Sequence, residues 1–280
     1  MVRLFAFLVG LFFSGMLLIS FFNSAYTAIT EPAVPTVEHE FHQLPLAEKY
    51  PHDGPFGKYD RGQLQRGLKV YAEVCAACHS LNLISFRNFA ELGYSEDQVK
   101  AIAKGWKTEV PSINPETGEP ATRPGIPADK IPAPFANETA ARAANNNALP
   151  PDLSLITKAR HNGPAYVYSL LLGYRNQPAE LLKEFPDAKT PAGLHYNPWF
   201  ANLNIAMAAP LTGDDQVTYD DGTKATKAQM AKDVSAFLTW TAEPKMENRK
   251  SAGWAALGFL LIFTVLTFLS YKTIWANKKH

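Results

Sequence analysis

The sequence predicts a mostly α-helical protein with long proline-rich loops and a C-terminal transmembrane helix. Three observations carry that reading. Apolar residues recur at helical spacing near residues 60–78, 162–173 and 226–243; alternating, strand-like runs are few; and an uncharged apolar run extends from Trp254 to Tyr271.

The two ends are apolar and the middle is polar. Residues Leu4 to Ile29 carry no charge and follow Arg3, which fits either a signal peptide over residues 1–30 or a retained N-terminal anchor. No small-x-small cleavage site stands out: cleavage after Ala28 puts Tyr26 at minus three, and cleavage after Ala25 puts Asn23 there. The C-terminal run reaches spanning length once residues up to Trp275 are counted, with Trp254 and Trp275 at interfacial positions. Lys272, Lys278 and Lys279 place the C-terminus in the cytoplasm, an argument that Arg249 and Lys250 weaken without reversing. All 26 acidic residues lie between Glu31 and Glu247, so the expected organisation is a leader (1–30), an exported domain (31–250) and an anchor with a short tail (251–280). From Glu31 to Lys250 there are 23 basic residues against the 26 acidic ones, which argues against nucleic acid as a partner.

Residues Thr30 to Tyr59 hold Pro32, Pro35, Pro45, Pro51 and Pro55 and read as an extended lead-in. Asp60 is a good N-cap for a helix whose stripe is Leu64, Leu68, Tyr71, Val74, Cys75 and Cys78. Gly67 inside that helix marks a close helix crossing. Ser95 and Gln98 form a capping box for a short helix ending before Gly105. From Thr108 to Pro151 nine prolines argue for an irregular loop. Asn162 as N-cap, with Pro164 after it, starts a helix carrying Tyr166, Val167, Leu170 and Leu171, closed by Gly173. After a second proline-rich loop, Asp220-Asp221-Gly222 is a turn and Thr226 caps a helix bearing Met230, Val234, Phe237 and Leu238 that stops before Pro244.

The chemistry centres on Cys75-Ala76-Ala77-Cys78-His79, the C-x-x-C-H pattern that attaches a c-type haem. On a helical turn both sulfurs share one face, where they can form thioethers with one porphyrin, and His79 offers a ring nitrogen to the iron. A zinc site needs further ligands, and the chain has no other cysteine. A redox C-x-x-C opens a helix after a strand, whereas this pair closes a helical pattern. Opposite His79, the residues leave three possibilities: Met207, in the small-residue run Ile205-Ala206-Met207-Ala208-Ala209-Pro210; a histidine such as His161 or His195; or an open site. Met230 sits on a helix stripe, Met1 and Met16 in the leader, and Met246 beside the membrane.

A resemblance runs collinearly from about Asp60 to the anchor. It is carried by Arg66-Gly67 to Ser80, Asn145-Asn146, Leu149-Pro150-Pro151-Asp152-Leu153-Ser154, Ala159-Arg160-His161, Tyr166-Val167-Tyr168-Ser169-Leu170-Leu171, Asn197-Pro198-Trp199-Phe200, Met207-Ala208, and Asp220-Asp221-Gly222-Thr223 through Ala242-Glu243-Pro244. These segments resemble cytochrome c1, the haem-bearing subunit of the quinol:cytochrome c oxidoreductase or bc1 complex, of a bacterial kind. The resemblance implies a c-type cytochrome fold with one covalent haem c, its iron ligated by His79 and Met207. It also implies that Arg160 meets a haem propionate with a buried guanidinium, that Tyr71 and Tyr166 pack on the haem, and that Asn145 and the Pro150-Pro151 pair belong to a loop over it. Cytochrome b, a Rieske iron-sulfur protein as donor, cytochrome c as acceptor and a dimeric complex are the implied partners. The implied location is the bacterial inner membrane, with the haem domain in the periplasm. Some bacterial relatives carry an extra disulfide that this chain, with both cysteines used by haem, does not have. Eight acidic residues between Glu91 and Glu138, and the cluster Asp214, Asp215, Asp220 and Asp221, are the candidate surface for a basic cytochrome c.

Overall fold

The computed structural model describes residues 2–31 and 34–278; Pro32 of the lead-in, Lys279 of the flanking lysines and Met1 lie outside the described residues. The chain divides into two compact units, Met1–Phe41 and His42–His280. The first holds α1 (Val2–Thr30) and the short α2 (Val37–Phe41). α1 is exposed along its length, and it is long and apolar enough to cross a membrane, a test that a signal sequence also passes.

In the second unit, α3 (Arg61–Glu73) begins where Asp60 accepts a hydrogen bond from the Gln63 amide at 3.1 Å. It buries Leu64, Leu68 and Tyr71, then ends at Glu73, earlier than the apolar stripe suggests. Cys75–Ala77 form a single 3-10 turn instead. A second 3-10 helix, Phe86–Leu92, has no counterpart in the sequence reading. Its buried residues Phe86, Phe89 and Leu92 recur every third position, which is the 3-10 period and not the α period. α4 (Glu96–Lys104) carries the expected capping box, Ser95 N to Gln98 Oε1 at 2.8 Å and Gln98 N to Ser95 Oγ at 3.3 Å.

The stretch from Thr108 to Pro151 is not the wholly irregular loop expected. It contains an antiparallel hairpin, β1 (Val110–Ile113) and β2 (Pro120–Arg123), with Val110 opposite Arg123 and Ile113 opposite Pro120. Prolines are tolerated there because in a two-stranded sheet each strand is an edge. The same stretch holds α5 (Glu138–Ala144), capped by Asn137 Oδ1 on Ala140 N at 2.9 Å.

α6 (Ile156–Ala159) precedes α7 (Gly163–Leu172). Asn162 occupies the N-cap position of α7, but its side chain makes no capping bond; its φ of 60° makes it a left-handed joint, a conformation Asn tolerates. α8 (Ala179–Glu184) lies in the second proline-rich loop, followed by the two-residue strands β3 (His195–Tyr196) and β4 (Asn204–Ile205). α9 (Lys227–Ala242) is capped by Thr226 Oγ1 on Gln229 N at 3.1 Å, and α10 (Met246–Trp275) is a second helix of membrane-crossing length.

α9 is the central helix, packed by α3, α6 and α7. It buries Met230, Val234, Phe237, Leu238 and Trp240. Gly67 is where α3 meets it: a Cβ there would lie 2.2 Å from the Asp233 carbonyl oxygen and 2.6 Å from Phe237 Cβ. The fully buried Asp233 carboxylate at this crossing accepts from Arg66 Nε at 2.9 Å, Gln229 Nε2 at 2.8 Å and Gln63 Nε2 at 3.2 Å. The turn that carries Cys75 follows directly from the end of this packed helix.

Candidate functional site

The C-x-x-C-H segment is built as a tight turn at the end of α3. The Cys75 carbonyl accepts from both the Cys78 amide at 3.1 Å and the His79 amide at 2.9 Å. Both thiols are free and half-buried. Burial, reinforced by Cys78, pushes the Cys75 thiol up to about 12, so it is held as the neutral thiol. Among the described residues no three His, Cys, Asp or Glu side chains gather as a metal-holding group, which leaves the cysteine pair without the further ligands a zinc site requires.

Two contacts fix His79. The buried Tyr71 hydroxyl, two turns upstream on α3, donates to the His79 carbonyl at 2.8 Å. The ring Nδ1 lies 2.8 Å from the Pro151 carbonyl. A carbonyl only accepts, so Nδ1 carries the proton and the Nε2 lone pair is left free to bind a metal. Burial pushes the imidazole below its ordinary value, against the opposing pull of the Pro151 carbonyl and Asp152, and this favours the neutral ring that ligation needs.

The Pro151 carbonyl is held by its neighbour. Asp152 Oδ2 accepts from Ser80 Oγ and from the Asn82 amide, each at 2.8 Å, and Oδ1 accepts from the Ser154 amide at 2.9 Å. The Leu153 amide also donates to the Ser80 carbonyl at 2.9 Å. Residues 151–154 are thereby stitched alongside 79–83. Burial raises the Asp152 carboxyl, but the bonds from Asn82, Ser154 and Ser80 outweigh it and hold the group below the ordinary carboxylate range. Sequence reasoning did not single out Asp152 as a site residue. The signal was its Asp-x-Ser spacing, an Asx-turn pattern directly after Pro150-Pro151.

The other expected residues lie on separate segments. Asn145 ends α5, its Nδ2 donating to the Ala141 carbonyl at 2.7 Å, ahead of Asn146 and Asn147 in left-handed conformation at φ 50° and 64°. Tyr166 is half-buried on α7 against the core. Arg160 is an exposed guanidinium at the end of the one-turn α6, donating to the Ala159 carbonyl at 3.2 Å. Met207 is half-buried in the bend after β4, whose hairpin places His195 opposite Ile205. A cavity of about 550 Å³ lies beside that bend, lined by residues that include Tyr174, Gln177, Thr190, His195 and Ala209. His161 and His195 are exposed, and Met230 is fully buried in the core. Thus Cys75, Cys78, His79, Tyr71 and Pro151 are brought together, whereas no hydrogen bond or ring contact joins Asn145, Arg160, Tyr166 or Met207 to that turn among the described residues.

Comparison with known proteins gives one consistent result. The model of the cytochrome C1 family matches residues 50–278. A "Cytochrome b/c1" of Bradyrhizobium diazoefficiens is 48% identical over 85% of this chain, which spans only 36% of that relative. "Cytochrome c1" of Rhodospirillum rubrum is 46% identical, covering 81% of this chain and 86% of the relative. The mitochondrial "Cytochrome c1 1, heme protein" of Arabidopsis thaliana is 44% identical over 95% of this chain and 84% of its own. The thiol pair, the oriented imidazole and this collinear match lead to the same place: the chain belongs to the cytochrome c1 family.

Proposed function

We propose that this chain is the haem-carrying electron-transfer subunit of a cytochrome bc1 complex. The observation that supports it most directly is the His79 Nδ1 contact with the Pro151 carbonyl, which leaves the Nε2 lone pair free to ligate an iron. Cys75 and Cys78 would hold the macrocycle by thioethers, and His79 and Met207 would ligate the iron. A bound haem c supplies a one-electron ferric/ferrous couple. The protein's own work is to hold that couple at a fixed place and potential. Tyr71 and the stitched segment 151–154 keep the imidazole from turning, and a Met207 thioether on the iron would favour the ferrous state over a second nitrogen ligand.

In this reading residues 31–250 form the haem domain, on the periplasmic side of a bacterial inner membrane. α10 anchors it, with the C-terminus in the cytoplasm. A Rieske iron-sulfur protein donates the electron, a cytochrome c accepts it, and quinol chemistry belongs to cytochrome b in a dimeric complex. Arg160, Tyr166 and Asn145 complete the pocket once the haem is in place.

Met207→Leu tests the ligand assignment. The expected outcome is a marked fall in midpoint potential together with carbon monoxide binding to the reduced protein. An unchanged potential with continued resistance to carbon monoxide would show that another residue closes the iron. Purification of the native protein without cytochrome b and a Rieske subunit would sink the assignment to a bc1 complex.

A further inference from the structure

Residues 52–59 form a hook around the first two turns of α10, nearly 200 positions further along the chain. Lys250 Nζ donates to the His52 carbonyl at 2.7 Å and the Gly57 carbonyl at 3.1 Å. Glu247 Oε1 accepts from the Tyr59 amide at 2.8 Å, and the Tyr59 hydroxyl donates to the Glu243 carbonyl at 3.0 Å. His52 and Tyr59 are buried and their rings lie 5.2 Å apart. The bend itself demands glycine: Gly54 has φ of +70°, and a Cβ on Gly57 would lie 2.1 Å from the Asp53 carbonyl oxygen. At the tip of this rigid hook, Phe56 lies flat on Trp254, with centroids 4.8 Å apart and planes 4° apart. The indole N–H donates to the Pro55 carbonyl at 3.3 Å.

Both rings nevertheless remain open. Phe56 is 74% exposed and Trp254 is 46% exposed. An aromatic pair assembled this firmly and left uncovered needs a partner with apolar depth and a polar rim. The pair sits where the apolar run of α10 begins, so its exposed surface is continuous with that of the membrane-spanning helix. Lys58 is exposed two residues from Phe56, and Arg249, ion-paired with Glu243, is exposed on the turn of α10 that precedes Trp254 on the polar side of the apolar run. Aromatic rings at the edge of a span, with cations one turn toward water, match the headgroup boundary of a phospholipid bilayer.

We propose that Phe56 and Trp254 together form a membrane-interface seat, so that the hook at residues 52–59 rests on phospholipid and sets the orientation of the haem domain above the bilayer. The inference rests on α10 spanning the membrane. Its test uses the full chain in its native membranes, with p-benzoylphenylalanine placed singly at Phe56, at Leu261 in the middle of the span, and at Glu96 on exposed α4. Covalent haem in each variant reports correct folding, and adducts after irradiation are identified by mass. Phospholipid adducts at Leu261 and Phe56 but not at Glu96 are expected, and Trp254→Ala should reduce the adduct at Phe56 several-fold. Lipid adducts at Leu261 with only polypeptide adducts, or none, at Phe56 would overturn the proposal and show that another protein covers the pair. Absence of adducts within the membrane at Leu261 would instead remove the spanning assignment of α10, and the seat with it.

Discussion

Asp152 shows how much of the site depends on one carboxylate that touches neither cysteine nor imidazole. Its bonds from Ser80, Asn82 and Ser154 align the Pro151 carbonyl with His79. Because the group is held below its ordinary range, the folded chain binds fewer protons there than the unfolded chain. The stability it contributes is therefore present above the ordinary carboxylate pKa and lost as pH falls through the depressed value. Asp152→Asn should destabilise the protein by about 1–3 kcal/mol at neutral pH, in line with hydrogen bonds to a charged acceptor. The variant should also flatten the acid limb of the stability profile. Urea unfolding of the haem-loaded protein across that pH range checks both, and an unchanged acid limb would assign the acid sensitivity to other carboxylates. The cap residues Asp60, Ser95 and Thr226 were legible in advance because each bonds within three residues of itself. Asp152 was not, because two of its three partners are 70 or more residues away.

At the scale of elements, the crossing of α3 and α9 is the joint that precedes the C-x-x-C-H turn. Gly67 lets the backbones meet, and any Cβ there strikes the Asp233 carbonyl and Phe237. Gly67→Ala should destabilise the protein despite its higher helix propensity. A loss of about 1–3 kcal/mol, typical of overpacking, is expected in chemical denaturation, whereas a gain would mean that the helices separate freely. Gly67 was readable from the sequence as a crossing because a glycine inside an amphipathic helix has few other reasons to be there. The hairpin of β1 and β2 and the 3-10 helix at Phe86–Leu92 were not readable. Proline at a strand edge resembles proline in a loop, and a three-residue period falls between the helix and strand templates.

At the scale of the whole molecule, the acidic side chains are divided between internal ion pairs and open surface. Of the acidic cluster near residue 220, Asp220 pairs with Lys69 at 3.0 Å, Asp221 pairs with Arg66 at 2.6 Å, and Asp214 caps the Lys227 amide at 2.8 Å. These residues therefore hold structure as well as present charge. Between Glu91 and Glu138, Asp129 is likewise held by Arg123 at 2.6 Å, while Glu96 and Asp97 stay largely exposed beside Lys100. On the function proposed above, with a basic cytochrome c as acceptor, docking should be weak and charge-steered, so the second-order electron-transfer rate should fall as ionic strength rises. A rate insensitive to salt would remove the acidic surface as the docking face.

By itself the sequence determined the C-x-x-C-H pentapeptide, the apolar ends, three capped helices and the collinear family pattern. All of these are properties of residues close together in the chain or of its overall composition. Only the tertiary structure decided which nitrogen of His79 is left free, which groups Asp152 bonds, and that Phe56 packs on Trp254 of α10. Those features join residues 72, 70 and nearly 200 positions apart. Separations of that size carry no local periodicity, so they become visible only when packing brings the segments together.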